Sequence, residues 1–150
     1  AELKQSPGEI GTHYRTGEAL LMKGDAAAAL AEFEHEPLEA WRMIGLPLAY
    51  HSLHRTAQAN AALKALIDKH ADNWPYNIAY VYAWRGDADN TFVWLEKAVA
   101  VKDPSLSDLV ADPLFGNVRK DARWFPFLRK LGRAPEQLAP IKFDVNPPGT

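Results

Sequence analysis

Between residues 26 and 33 the apolar positions recur at intervals of three and four: Ala26, Ala29, Leu30 and Phe33. The spacing returns in Ala59, Ala62, Leu63, Leu66 and Ile67, and again in Ala88, Thr91, Phe92, Leu95, Ala98 and Val99. A period near 3.6 puts each set on one stripe of a helix. In a strand, where side chains alternate, each set would be scattered over both faces. Ahead of each stripe stands a turn signal, Gly24-Asp25, His54-Arg55-Thr56 and Gly86-Asp87, at separations of 30 and 32 residues. At each turn a residue that can adopt a left-handed backbone ends one helix (His54 at the second), and Asp25, Thr56 or Asp87 offers an oxygen to cap the next. A recurrence of this length predicts repeated helical hairpins.

The helices before the turns are less polar. Residues 38–53 are apolar on nearly every side, with Leu38, Trp41, Met43, Ile44, Leu46, Leu48, Tyr50 and Leu53, which predicts a helix sandwiched between neighbours. Pro47 is expected to kink or break it near Gly45, whereas Pro37 and Pro75 suit first helical turns. Helices are expected at about 9–23, 26–36, 38–53, 57–70, 75–85 and 88–101. After residue 102 the rhythm changes. Asp103-Pro104, Asp112-Pro113 and Asp121 each read as an aspartate opening a short helix, the last running to Leu131 and stopping at Gly132. Trp124, Phe125, Phe127, Leu128 and Leu131 suit a lid on the end of the stack. Ile141, Phe143 and Val145 alternate with Lys142 and Asp144 as in a strand, ended by Pro-Pro-Gly. A groove on its own surface is the preferred home for this tail, ahead of pairing with a second copy or with a sheet edge of a neighbouring domain.

Composition sharpens the helical reading. Alanine and leucine number 41 against 17 for valine, isoleucine and threonine. A formal charge of −2 argues against a general phosphate-backbone binder. With no cysteine, disulfides, thiolate metal sites and cysteine nucleophiles are excluded. No apolar run approaches the ~18–20 residues of a membrane span, and the chain opens without a signal-peptide pattern, so a cytoplasmic address is the expected default.

The three hairpins resemble tetratricopeptide repeats, in which small and large residues recur at fixed places in a unit of about 34 residues. Gly17, Ala29 and Phe33 match such positions in a first repeat, Tyr50, Ala59 and Leu63 in a second, and Ala79, Tyr82, Leu95 and Ala98 in a third. Glu36 stands where a small residue is usual, Pro47 replaces a small helical residue, and both spacings are short. The stretch from Tyr80 through Leu138 resembles the carboxy-terminal repeat region of large bacterial regulators, in which a class III adenylate cyclase or winged-helix domain precedes a TolB-like domain and the repeats. That resemblance implies an output domain outside this chain, with residues 1–8 as the connection, and a periplasmic alternative to the cytoplasmic address.

Chemistry is sparse. His51 and His54 lie three apart and His35 precedes Glu36, but no third ligand has a recognisable spacing, so no metal site is expected. Ser6, Ser52, Ser105 and Ser107 sit in no nucleophile context. Glu32, Glu34, Glu36 and Glu39 read as a solvated acidic face. Arg119, Lys120, Arg123, Arg129, Lys130 and Arg133 interleave with aromatics, a combination that can track single strands, yet the aromatics have helix-core spacing.

The expectation is therefore an all-α, right-handed superhelix of three tetratricopeptide-like hairpins (9–36, 38–70, 74–101), a helical cap at 104–139 and an extended tail at 140–150, together one domain. Its core is expected to include Ala29, Phe33, Tyr50, Ala59, Leu63, Leu66, Ala79, Tyr82, Leu95 and Ala98. The resemblance implies a non-enzymatic interaction module that needs no cofactor. It also implies a concave groove presenting Tyr14, Glu18, Met22, Ile44, Leu48, His51, Tyr76, Tyr80 and Trp84 to a peptide, a domain, the chain's own tail or a second copy. A small hydrolase, and a nucleic-acid module acting through 119–133, are the alternatives.

Overall fold

The computed structural model describes residues 11–141, in which eight α-helices and two 3-10 helices occur and no strand does. The order is α1 (Thr12–Met22), α2 (Ala26–His35), α3 (Glu39–Ser52), α4 (Thr56–His70), α5 (Pro75–Trp84), α6 (Ala88–Ala100), 3-10 helices Pro104–Asp108 and Pro113–Val118, α7 (Trp124–Lys130) and α8 (Pro135–Leu138). The residues divide into two compact units, one ending at Val118 and the other starting at Arg119. The segment expected as one cap is thus shared: both 3-10 helices belong with the hairpins, while α7 and α8 belong to the second unit. Residues 1–8 and, apart from the exposed Ile141, the strand-like 141–145 lie outside the described residues.

In the first unit α1 pairs with α2, α3 with α4 and α5 with α6. The turns between them work as their residues dictate. Gly24 and Gly86 take φ of 83° and 74°, and His54 accepts the same left-handed region at 56°. Asp25 accepts from the Ala28 N–H and Asp87 from the Asn90 N–H, both at 3.1 Å. Thr56 does not cap. It is already the first residue of α4, and Arg55 before it supplies no side-chain bond. Pro37 also falls outside a helix, because α3 starts two residues later at Glu39.

Of the kink or break expected at Pro47, the break does not occur: α3 runs through the proline. Proline leaves the Met43 carbonyl without its usual donor, at a cost of about 3 kcal/mol. Ile44, Leu48 and Ala49 around it are 2%, 0% and 0% exposed. Burying a large apolar side chain contributes about 1.5–3 kcal/mol, so the helix is held across the missing bond by its neighbours. Of the ten expected core residues, eight are buried, and Tyr50 and Tyr82 retain partial exposure.

Phe33 is the centre of the first hairpin and is fully buried. A Cβ at Gly17 of α1 would lie 2.5 Å from its ring, and one at Gly45 of α3 would lie 2.2 Å away. The ring therefore occupies the space that two absent side chains leave, which lets α1, α2 and α3 meet around it.

In the second unit Trp124, Phe127 and Leu128 are buried while Phe125 is half exposed. Asp121 accepts from the Arg123 backbone N–H and guanidinium at 2.8–2.9 Å, and this pairing lowers its pKa to about 2. Arg129 pairs with Glu136 at 2.6 Å. Gly132, at φ 72°, ends the α7 segment as its sequence position predicts. Among the described residues no helix is long and apolar enough to cross a membrane.

Candidate functional site

The first helices of the hairpins lie side by side in the order α1, α3, α5. In front of α3 the outer two are bridged by a hydrogen bond between the Tyr14 and Tyr80 hydroxyls at 2.8 Å. Asn77 donates to the Tyr80 oxygen at 3.0 Å, and the Tyr76 hydroxyl donates to Asp112 at 2.8 Å. The rings form two groups. Tyr14 lies 4.9 Å from Trp41 and 5.6 Å from Phe33, while Tyr76 and Tyr80 meet edge to face at 5.8 Å and both approach Phe115. Such pairs contribute about 0.5–1.5 kcal/mol each beyond their buried area.

Tyr14 is positioned by a residue far away in sequence. Glu36, at the end of α2, is completely buried. Its carboxylate accepts from the backbone N–H groups of Gly11 (3.2 Å), Tyr14 (3.0 Å) and Leu38 (3.2 Å). Gly11 and Tyr14 are the N-cap and third residue of α1, which has no side-chain cap of its own. One carboxylate thus serves the pair of donors that a capping box satisfies locally, and also ties the start of α3. The solvated acidic face expected around Glu36 is corrected at this position. A buried carboxylate is tolerated because three donors and the positive end of α1 surround it.

These residues frame an open cleft of about 510 Å³. Trp41 forms a half-exposed wall, the buried tyrosines form the floor, and Glu18, Asp108, Asp112 and Arg15, the one cation lining it among the described residues, stand around it. Burial and the neighbouring Tyr80 hold the Tyr14 hydroxyl well above its ordinary pKa. Burial and the Asp112 charge do the same for Tyr76, and burial for Tyr80. All three therefore act as neutral hydrogen-bonding groups at physiological pH. Glu18 is pushed up by burial and then by the Asp112 charge, with Arg15 opposing.

The Glu18 shift has a measurable sign. A carboxyl whose folded pKa is raised holds its proton to higher pH in the folded chain than in the unfolded one. Stability then falls as the pH rises through that interval. Glu18→Gln is accordingly expected to raise the melting temperature at pH 7, with the gain vanishing below the unfolded carboxyl pKa near 4.3. Calorimetry across pH checks this.

The nine residues expected along one groove are divided. Tyr14, Glu18, Tyr76 and Tyr80 line the cleft just described. Ile44 faces a second cleft of about 490 Å³ with Leu38, Trp41, Trp74 and Val101. His51 and Trp84 line a third with His54 and Asn117, where the Trp84 indole donates to Ser52 at 2.9 Å. Burial and the Arg85 charge lower the His51 pKa. Leu48 has no exposed surface to offer a ligand, and Met22 is 40% exposed but lines none of these clefts. Trp41, Asn77, Asp108 and Asp112 were not expected at the site. Asp108 and Asp112 arrive there only because the chain after α6 turns back against α5. Among the described residues no group of three histidines or carboxylates converges on a metal position. No family model matches the chain, and comparison with curated proteins and with solved structures finds no match.

Proposed function

We propose that this chain is a non-enzymatic protein-interaction module, a right-handed array of tetratricopeptide-like hairpins that scaffolds or regulates a larger signalling protein. The observation that carries the reading is the cleft built from the first helices of all three hairpins, walled by Trp41 and floored by Tyr14, Tyr76 and Tyr80. Concave sites with aromatic walls and a few convergent polar groups are where proteins take up ligands. The hydroxyls there are held neutral and hydrogen-bonded to one another or to Asp112, which suits recognition better than nucleophilic attack. The nucleic-acid reading finds less support, since Trp124 and Phe127 are buried and Arg123 and Arg129 are paired with carboxylates.

The test is site-directed photocrosslinking in the full-length parent protein. A benzophenone amino acid in place of Trp41 is expected to yield discrete protein adducts. The same group in place of Val93, exposed on α6 and outside the clefts, is expected to yield none. No adduct from position 41, or saturable hydrolysis by the purified chain that Glu18→Gln abolishes, would overturn the reading.

A further inference from the structure

The main cleft and its neighbour share Trp41, Asn77 and Ser105, so they form one continuous depression with two ends. One end is polar and acidic, around Glu18, Asp108 and Asp112. The other carries Leu38, Ile44 and Val101, with Asp72 and Asp103 beside them. Among the described residues five acidic side chains line the two clefts, against one basic side chain, Arg15. The chain as a whole is nearly neutral, so this imbalance belongs to the depression.

Resting on the interaction-module reading, we propose that this depression binds an extended peptide segment of the partner. A lysine or arginine of that segment enters the acidic aromatic end, and a nearby apolar residue enters the other. Three features converge on a cation. The carboxylates share the cleft with the indole ring of Trp41, and a cation held near both an aromatic ring and a carboxylate gains from each. The remaining polar atoms of the floor are the hydroxyl oxygens of the three tyrosines and Ser105 and the side chain of Asn77, all able to accept hydrogen bonds. Glu18 and Asp112 repel one another when both are ionised, and an incoming positive charge relieves that repulsion. The acceptors spread along the depression rather than converging on a point, which fits an ammonium or guanidinium on a flexible stem better than a metal ion. An acidic peptide would meet five carboxylates with one guanidinium to offset them. The apolar end argues for a peptide over a free amine, because a small cation would leave Leu38 and Val101, 41% and 55% exposed, uncovered.

A display library of random twelve-residue peptides, selected on the full chain, tests this directly. Enrichment of lysine or arginine with an apolar residue a few positions away is expected. In a synthetic peptide made from the selected sequence, replacing that basic residue by norleucine should weaken binding about tenfold, as should Glu18→Gln in the protein. Glu18→Lys should abolish binding of the parent peptide and restore binding of its glutamate counterpart, an exchange that mere loss of folding does not produce. Selected peptides without basic residues, or affinity unchanged in the Glu18 variants, would overturn the proposal. So would failure to select any peptide. In each case adducts formed from position 41 would still support the interaction module, so the two readings fail separately.

Discussion

Replacing Glu36 by alanine is expected to destabilise the first unit by about 3–5 kcal/mol: an orphaned buried N–H costs roughly 1–3 kcal/mol, and the part-buried bonds of Gly11 and Leu38 lie at the low end of that range while the buried one of Tyr14 can reach its top. The donors are those of Gly11, Tyr14 and Leu38, and the carboxylate that serves them has no exposed surface. The loss corresponds to a fall in melting temperature on the order of 10 °C. Glu36→Gln should cost less, since its amide oxygen still accepts while its charge is gone, and charge-assisted bonds are roughly twice as strong as neutral ones. Because the damaged bonds hold the start of α1, the Tyr14–Tyr80 bridge should loosen with them. Hydrogen exchange should therefore show the amides of α1 losing protection first, and uniform loss across all six helices would count against this account. Equal stability of wild type and Glu36→Ala would remove the tertiary cap altogether.

Gly45→Ala is expected to cost about 3 kcal/mol, even though alanine is the better helix former by about 1 kcal/mol. The added methyl would stand 2.2 Å from Cδ1 of Phe33, inside any permitted contact. The ring has no room to retreat, because it is fully buried and Gly17 of α1 borders it at a similar distance. Phe33→Leu in the same background should recover part of the loss, although alone it removes buried area and destabilises. A double-mutant cycle checks this: strong favourable coupling is expected for two residues in direct contact. An undiminished melting temperature in the single Gly45 variant would show that the helices can move apart at little cost. Gly17→Ala should behave alike in direction, with its contact slightly longer at 2.5 Å.

These two sites mark different limits of what periodicity conveys. Gly17 matched a small-residue position on sequence grounds, so a close approach there was legible. Gly45 carries no such signal beyond its place beside Pro47, and its partner Phe33 lies twelve residues away on another helix. The pattern Glu32, Glu34, Glu36, Glu39 reads as a polar face, and the one sign against it is that Glu36 stands where the resembled repeats carry a small residue. Burial of a charge depends on donors brought from residues 11, 14 and 38, and local sequence does not record their convergence.

The cleft divides in the same way. The resemblance implies one groove for Tyr14, Glu18, Tyr76 and Tyr80, and these four line one cleft. It implies the same groove for Ile44 and Leu48, yet Leu48 is closed into the core. Helix α3 is flanked by both α1 and α5, so it has packing partners on two sides.

The helices, their turns and most of the core are legible along the chain alone. These depend on local chemistry: a 3.6-residue apolar period, left-handed residues at 24, 54 and 86, and aspartate caps at 25 and 87. The sequence also determines that no cysteine chemistry is possible. Only the tertiary structure decided that α3 continues through Pro47, that Glu36 is buried as a remote cap, and that Asp108 and Asp112 face the tyrosines of α5. Each of these depends on contacts between residues distant along the chain, where burial and hydrogen bonding outweigh the local preferences that a sequence pattern expresses.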